Sequence, residues 1–314
     1  MTALAHGSLV VVFGGSGFLG RHIVSRLVKS GYRVRVAVRR PNEALFLKTA
    51  GRVGQVEIVA ANLRHADSVE AALEGADGVV NSVGILYETG KQKFAAVQAA
   101  GAARLALLAG KKNITRFVQI SALGADQQSA AVYAQTKAAG EAAVREHIAG
   151  AHILRPSLVI GPEDDFFNRF AAMALIAPAL PLIGGGVTKY QPVSVFDVAD
   201  AVAACLAGAP AGTYELGGPT VYQFKELMAL LLEQIGRKRL LLPMPFFVAR
   251  MMAGVTQFMP KPLLTPDQVT LLQSDNIVTG EEEGDLASLG VEATPIETLL
   301  PQYLRRFRPD IRTS

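Results

Sequence analysis

Apolar residues fall along this chain in two alternating rhythms. A short unbroken run, Val10-Val11-Val12, stops at a glycine cluster, and Ile23, Val24, Leu27 and Val28 then recur at helical spacing. Continuous β-branched runs mark strands buried on both faces, whereas an apolar stripe every three to four residues marks an amphipathic helix. The alternation continues. Arg33–Val38 (RVRVAV) predicts a second strand, Val56–Ala60 a third, Gly78–Val83 a fourth and Arg116–Ser121 a fifth; His152–Arg155, closed by Pro156, predicts a sixth. Alanine-rich stretches Lys93–Ala109 and Ala131–Ile148 predict helices between them. Strands alternating with helices of this length predict an α/β fold built on a doubly wound parallel sheet.

Beyond Pro156 the rhythm loosens. Gly184-Gly185-Gly186 marks a loop, Gln191–Asp197 leads into a helix Val198–Leu206, and Thr213–Leu216 predicts a last strand. Prolines then separate helices Phe224–Ile235, Phe246–Met259, Pro266–Leu272 and Ile296–Phe307. The expected organisation is a sheet domain over residues 1–160, with 187–217 returning to it. A smaller, mostly helical C-terminal lobe is expected over 218–314, with 161–186 contributing. Asp164 and Asp165 are expected to open a helix Phe166–Ile176, where acids offset the helix dipole, rather than to act as a carboxylate pair. Asp197 reads as an N-cap, and Glu281–Glu283 as a solvated loop.

Two stretches of that lobe are unusually apolar. Ala171–Ile183 carries no charge, and Phe246–Met259 has only Arg250. Arg250 and Gln257 fall on one side of the second helix, with Phe247, Met251, Val255 and Phe258 opposite. It is too short to span a bilayer, which needs about 20 apolar residues. Either it packs in the lobe's own core or it docks on a membrane interface or a partner. Core packing is the expectation, because apolar helices are usually buried.

The glycine cluster carries the first chemical signal. Gly14, Gly17 and Gly20 are spaced three apart, and Gly15, Gly17 and Gly20 satisfy G-x-G-x-x-G between a predicted strand and a predicted helix. That context makes a dinucleotide fingerprint of the Rossmann type: a sharp turn, a close backbone approach to a pyrophosphate, and a helix closing on the sheet. Gly14, Ser16, Gly17, Phe18, Leu19 and Gly20 are the predicted phosphate cradle. The second strand ends in Arg39 and Arg40. An acid there would bind the ribose hydroxyl of NAD(H), whereas arginine suits the 2′-phosphate of NADP(H), so NADP(H) is expected over NAD(H). The alternative is two solvated arginines before Pro41. Asn62 and Leu63, Val83 and Gly84, Ser121 and Pro156 fall at the carboxyl ends of the other strands, where such sheets collect ligands.

Composition narrows the picture by exclusion. Lys plus Arg number 31 against 27 for Asp plus Glu, and no basic block is interleaved with aromatics, so nucleic acid is not an expected partner. The tail residues Arg305, Arg306, Arg308 and Arg312 read as a solvated end. Cys205 is the only cysteine, which excludes an intrachain disulfide and a cysteine-rich zinc site. The five histidines show no ligand spacing, so no metal is expected. With the first strand starting so near Met1, no cleaved leader is expected, and the compartment should be reducing and cytoplasm-like.

Tyr133 and Lys137 form Y-x-x-x-K on a predicted helix and so share one face. In a nicotinamide site the ammonium can hold the ribose and lower the phenol's pKa, leaving tyrosine to act as acid or base. GGSGFLG, NSVG, YAQTK, LRPSLVIGP and VSVFDVADA together resemble the short-chain dehydrogenase/reductase superfamily, in its extended or atypical branch. More narrowly, VVNSVGILYETGKQKF, YAQTKAAGE, ILRPSLVIGPEDDFFNRF and YELGGP resemble the nucleotide-binding accessory subunits of respiratory complex I and their bacterial relatives. The resemblance implies tightly held NADPH with a structural use. It also implies a place near the quinone site of NADH:quinone oxidoreductase or another quinone-linked complex, peripheral on the inner face of the cytoplasmic membrane.

One departure from the family pattern touches adenine binding, which Asn62 can still serve by hydrogen-bonding the base, and a more serious one touches catalysis. Asn62 replaces an acid near the adenine, and Ser121-Ala122-Leu123-Gly124 places Leu123 where active members keep a hydroxyl. Tyr133, Lys137 and Ser121 are then the candidate catalytic residues, vestigial in an accessory protein, where Tyr133 and Lys137 persist as ribose holders. The alternative is an active oxidoreductase, epimerase or dehydratase acting on a small or quinone-related substrate through Tyr133 and Lys137.

Overall fold

The apolar run Leu9–Phe13 is a strand, β1, buried along its whole length. The computed structural model, which describes residues 3–259 and 262–309, joins six more strands to it. They are β2 (Arg33–Val38), β3 (Val56–Ala60), β4 (Gly78–Asn81), β5 (Arg116–Ile120), β6 (His152–Pro156) and β7 (Gly212–Leu216). All pair in parallel, in the order β7-β6-β5-β4-β1-β2-β3. β1 therefore lies between β2 and β4, where the winding reverses and open α/β sheets bind their ligands. Arg312 of the basic tail lies outside the described residues.

Helices α1 (Phe18–Lys29), α2 (Ala66–Ala72), α3 (Ala100–Lys111), α4 (Val132–His147) and α5 (Val195–Leu206) complete this unit. One core gathers Val11, Phe13, Val79, Leu105, Phe117 and Ile153. Small residues bring α4 close to the chain before α3: a Cβ on Gly140 would come within 2.6 Å of the Gln98 carbonyl oxygen. The helix expected over 93–109 is not continuous. Ala95–Ala99 forms a wide π-type turn before α3, and the buried Gln98 inside it bonds the Ile85 carbonyl oxygen and the Thr136 hydroxyl. Such turns often accompany functional sites. α5 starts at Val195, so Asp197 stands within its first turn and not at the N-cap position.

Residues Ser157–Ser194, Gly217–Val278 and 293–309 make a second unit, while Thr279–Glu292 belongs to the first. The second unit therefore takes residues 187–194, expected with the sheet. Its helices Phe167–Ile176, Phe224–Gln234 and Ile296–Leu304 share a core containing Phe167, Leu180, Leu227, Leu231 and Leu300. Asp164 does open the first of these, its carboxylate accepting from the backbone N–H groups of Phe167 at 2.6 Å and Asn168 at 3.3 Å. Asp165 pairs with Arg169 at 2.7 Å.

Part of this unit is strand rather than helix. Ala179–Ile183 pairs in parallel with Leu240–Met244, a pairing hidden by runs with no polar alternation. The helix Phe246–Thr256 buries Ala249 and Ala253 against Val269. Phe246 packs beside that cluster, but Phe247, Met251 and Val255 of the helix and Phe258 just beyond it are 69, 71, 75 and 84% exposed. Core packing therefore holds for the alanine face and Phe246, and the apolar stripe is uncovered among the described residues. No helix among the described residues is long and apolar enough to cross a membrane.

Glu281–Glu283 is not merely a solvated loop. Glu282 pairs with Arg155, Glu283 accepts from the Thr213 N–H at 2.8 Å, and Gly284 bridges to Tyr214 beside β7.

Candidate dinucleotide site

The turn after β1 is shaped for a close ligand. Gly14 takes φ +79°, and a Cβ there would press within 3.1 Å of Ser82 and Val83 at the end of β4. A methyl on Gly20 would overlap the Gly14 carbonyl oxygen, so glycine lets α1 close onto the turn. Gly17 caps α1 without a side chain, and no acid stands in the first turn. The leading N–H groups of Phe18 and Leu19 thus begin a helix end that no carboxylate of its first turn neutralises, which suits a phosphate. Arg21 braces the turn: its guanidinium donates to the carbonyl oxygens of Ser16 and Gly17, each at 3.3 Å, and lies 4.9 Å from the Phe46 ring centroid.

The neighbouring strand ends line up beside this turn. Ser82 donates through its hydroxyl to the Phe13 carbonyl oxygen at 2.7 Å, fixing β4 against β1. The Val83 N–H donates to Asn81 Oδ1 at 3.2 Å, ahead of Gly84. After β3, Asn62 accepts from the Arg64 N–H at 3.1 Å, and the Leu63 carbonyl oxygen accepts from Arg104. Arg39 and Arg40 are exposed after β2; Arg40 pairs with Glu43 at 2.9 Å.

α4 brings the remaining candidates together. Lys137 is buried, donates to the Ile120 carbonyl oxygen at 3.2 Å, and lies 5.8 Å from the Tyr133 ring centroid. A Cβ on Gly84 would stand 3.5 Å from its ammonium. Burial pushes the Lys137 pKa down to about 8, with the Glu141 charge opposing. Phe94 meets Tyr133 edge to face at 5.8 Å. Ser121 is directed elsewhere: its hydroxyl donates to Glu141, which Arg155 grips with two nitrogens at 2.9 and 2.7 Å. Leu123 is buried and donates its N–H to the Pro156 carbonyl oxygen at 3.1 Å.

The structure thus gathers Gly14, Val83, Gly84, Tyr133 and Lys137 and turns the Ser121 hydroxyl away. Sequence reading missed Arg21, Glu141, Arg155 and Glu282; only the one-turn spacing of Lys137 and Glu141 hinted at them. Cys205 is fully buried, with its thiol pushed up to about 12 by burial, and is inert.

A glycine turn between β1 and α1, with Y-x-x-x-K on α4, defines an extended short-chain dehydrogenase architecture. The chain belongs to the NAD dependent epimerase/dehydratase family, whose pattern matches residues 10–217. It is similar to the mitochondrial NADH dehydrogenase (ubiquinone) 1 alpha subcomplex subunit 9 of Arabidopsis thaliana, with 37% identity over 95% of this chain and 78% of that protein. A ceramide reductase of Caulobacter vibrioides shares 32% identity over 63% of this chain and 60% of its own length. The fold matches a dTDP-glucose 4,6-dehydratase from Streptomyces venezuelae solved with NAD, at TM-score 0.72 and 18% identity, covering 96% of this chain and 97% of that one.

Proposed function

We propose that this chain is an NADP(H)-holding accessory subunit of an NADH:quinone oxidoreductase, in which the nucleotide is structural. The observation that carries the reading is similarity to the alpha subcomplex subunit 9 along 95% of the chain, both units included. The committed Ser121 hydroxyl and the buried Leu123 support it, since they leave no serine or threonine at that strand end to hold a substrate oxygen.

The glycine turn and the α1 N-terminus would take the pyrophosphate, with Asn62 and Leu63 beside the adenine. Arg39 and Arg40 would meet the 2′-phosphate, and Tyr133 and Lys137 the nicotinamide ribose. When bound, the nucleotide supplies hydride chemistry; the residues here supply its retention. The uncovered stripe Phe247–Phe258 is the face of the second unit offered to the membrane-bound complex or its lipid surface. Native separation of gently solubilised membranes tests this. Comigration with NADH:quinone oxidoreductase is expected, and migration apart from every membrane complex would overturn it.

The ceramide reductase similarity and the Tyr133–Lys137 pair favour one second reading, an active reductase. Steady NADPH oxidation with a carbonyl substrate, abolished by Tyr133→Phe, would establish it.

A further inference from the structure

The carboxylate of Glu141 has no role in the reading above. It lies one turn beyond Lys137 on α4 and is 2% exposed. It accepts from the Ser121 hydroxyl and from Arg155 at 2.9 and 2.7 Å, with Arg145 at 3.6 Å. Arg155 in turn donates to Glu282, on the segment 279–292 that runs beside β7. A buried carboxylate is unfavourable unless its lone pairs are occupied, and these partners occupy them. Its effect reaches Lys137 by two routes. Its charge opposes the burial that drives the ammonium toward neutrality. Its bond to Ser121 also holds the residue next to Ile120, whose carbonyl oxygen accepts from Lys137.

We propose that Glu141 is a positioning residue for the nucleotide: clamped by Arg155 and Glu282, it fixes the Lys137 ammonium beside Gly84, so that segment 279–292 takes part in nucleotide retention. The proposal rests on Lys137 being a ribose holder. Around Lys137, α4 contributes Tyr133 and Glu141, while β5 and the end of β4 contribute the Ile120 carbonyl and Gly84. Arg145, Arg155 and Glu282 face the carboxylate network rather than the ammonium. Without Glu141 the ammonium loses its counter-charge and gives up its proton at lower pH. Without Glu282, Arg155 turns its whole charge on Glu141 and acts on Lys137 in the same direction, more weakly.

The test is NADPH affinity of the full chain between about pH 6 and 10, a window set around the lysine. Wild type, Glu141→Gln and Glu282→Gln are compared by fluorescence, with the Lys137 side-chain titration followed by lysine-labelled NMR. Wild-type affinity should fall as pH rises through about 8. Glu141→Gln should move that fall down by about one unit, weakening binding about tenfold in the window between. Glu282→Gln should move it by less in the same direction; Glu282 is 28% exposed against 2% for Glu141, so this variant is the one expected to fold and decides the matter if Glu141→Gln does not. Wild type binding NADPH with the fall and the titration unmoved in the folded variants would overturn the proposal alone. Wild type binding neither NADPH nor NADP⁺ would overturn the nucleotide reading and this proposal with it.

Discussion

Gly20 packs against the carbonyl oxygen of Gly14 so closely that no side chain fits between them. Gly20→Ala must therefore push α1 off the turn, since the obstacle is backbone. The expected result is a loss of about 1–3 kcal/mol in stability, the usual penalty of overpacking, and at least about tenfold weaker NADPH binding. Urea unfolding and a binding titration measure both. Gly254→Ala is the contrast: a Cβ there meets nothing within 4 Å, and the site is interior to the helix Phe246–Thr256. It should gain about 0.5–1 kcal/mol.

Lys137 gives the nucleotide-free chain a pH dependence of definite sign. Its folded value of about 8 lies below the ordinary 10.5, so between these the unfolded chain holds a proton that the folded chain has released. Stability must rise with pH across that window, by at most about 3 kcal/mol from this group. Lys137→Met should flatten the rise. At pH 7 it should stabilise the empty chain by about 1–2 kcal/mol, after the lost bond to Ile120 is counted, while weakening NADPH binding. Urea melts at pH 7 and pH 10 read both effects; a wild-type stability that falls over the window would contradict the assignment.

Arg39 and Arg40 should not contribute equally to cofactor choice. Arg40 is already engaged by Glu43, whereas Arg39 makes no ion pair among the described residues. Arg39→Ala should weaken NADPH by about 10–100-fold, the worth of a charge-assisted bond, and leave NADH unchanged. Arg40→Ala should cost less. The ratio of the two dissociation constants is the measurement.

The exposed stripe separates folding from docking. Met251→Asp and Phe258→Glu alter side chains that are 71 and 84% exposed, so each should change stability by no more than about 0.5 kcal/mol. Comigration with the membrane complex should nonetheless be lost. Retained comigration in both variants would remove the stripe from the docking surface.

The sheet and its glycine turn were legible because each signal is local. Val10–Val12, the glycines and the α1 stripe follow one another directly, and Tyr133 and Lys137 are related by helical spacing alone. What stayed hidden depends on distant or directional contacts. Nothing in Ala179–Ile183 names Leu240–Met244 as its partner, and nothing near Glu282 announces Arg155. A serine at a strand end shows that a hydroxyl is present, not that it turns toward Glu141. Apolar spacing in Phe246–Met259 showed how wide the apolar face is, but not whether this chain covers it.

The segment 279–292 also bears on how the protein is made. β7 ends the sheet, and Glu215 donates its N–H to the Gly284 carbonyl oxygen at 2.9 Å. During synthesis the nucleotide-binding half leaves the ribosome with that edge bare, and an unpaired strand edge invites pairing with other chains. A chain stopped before Thr279 would carry every residue of the glycine turn and of the Tyr133–Lys137 pair, yet be prone to aggregate.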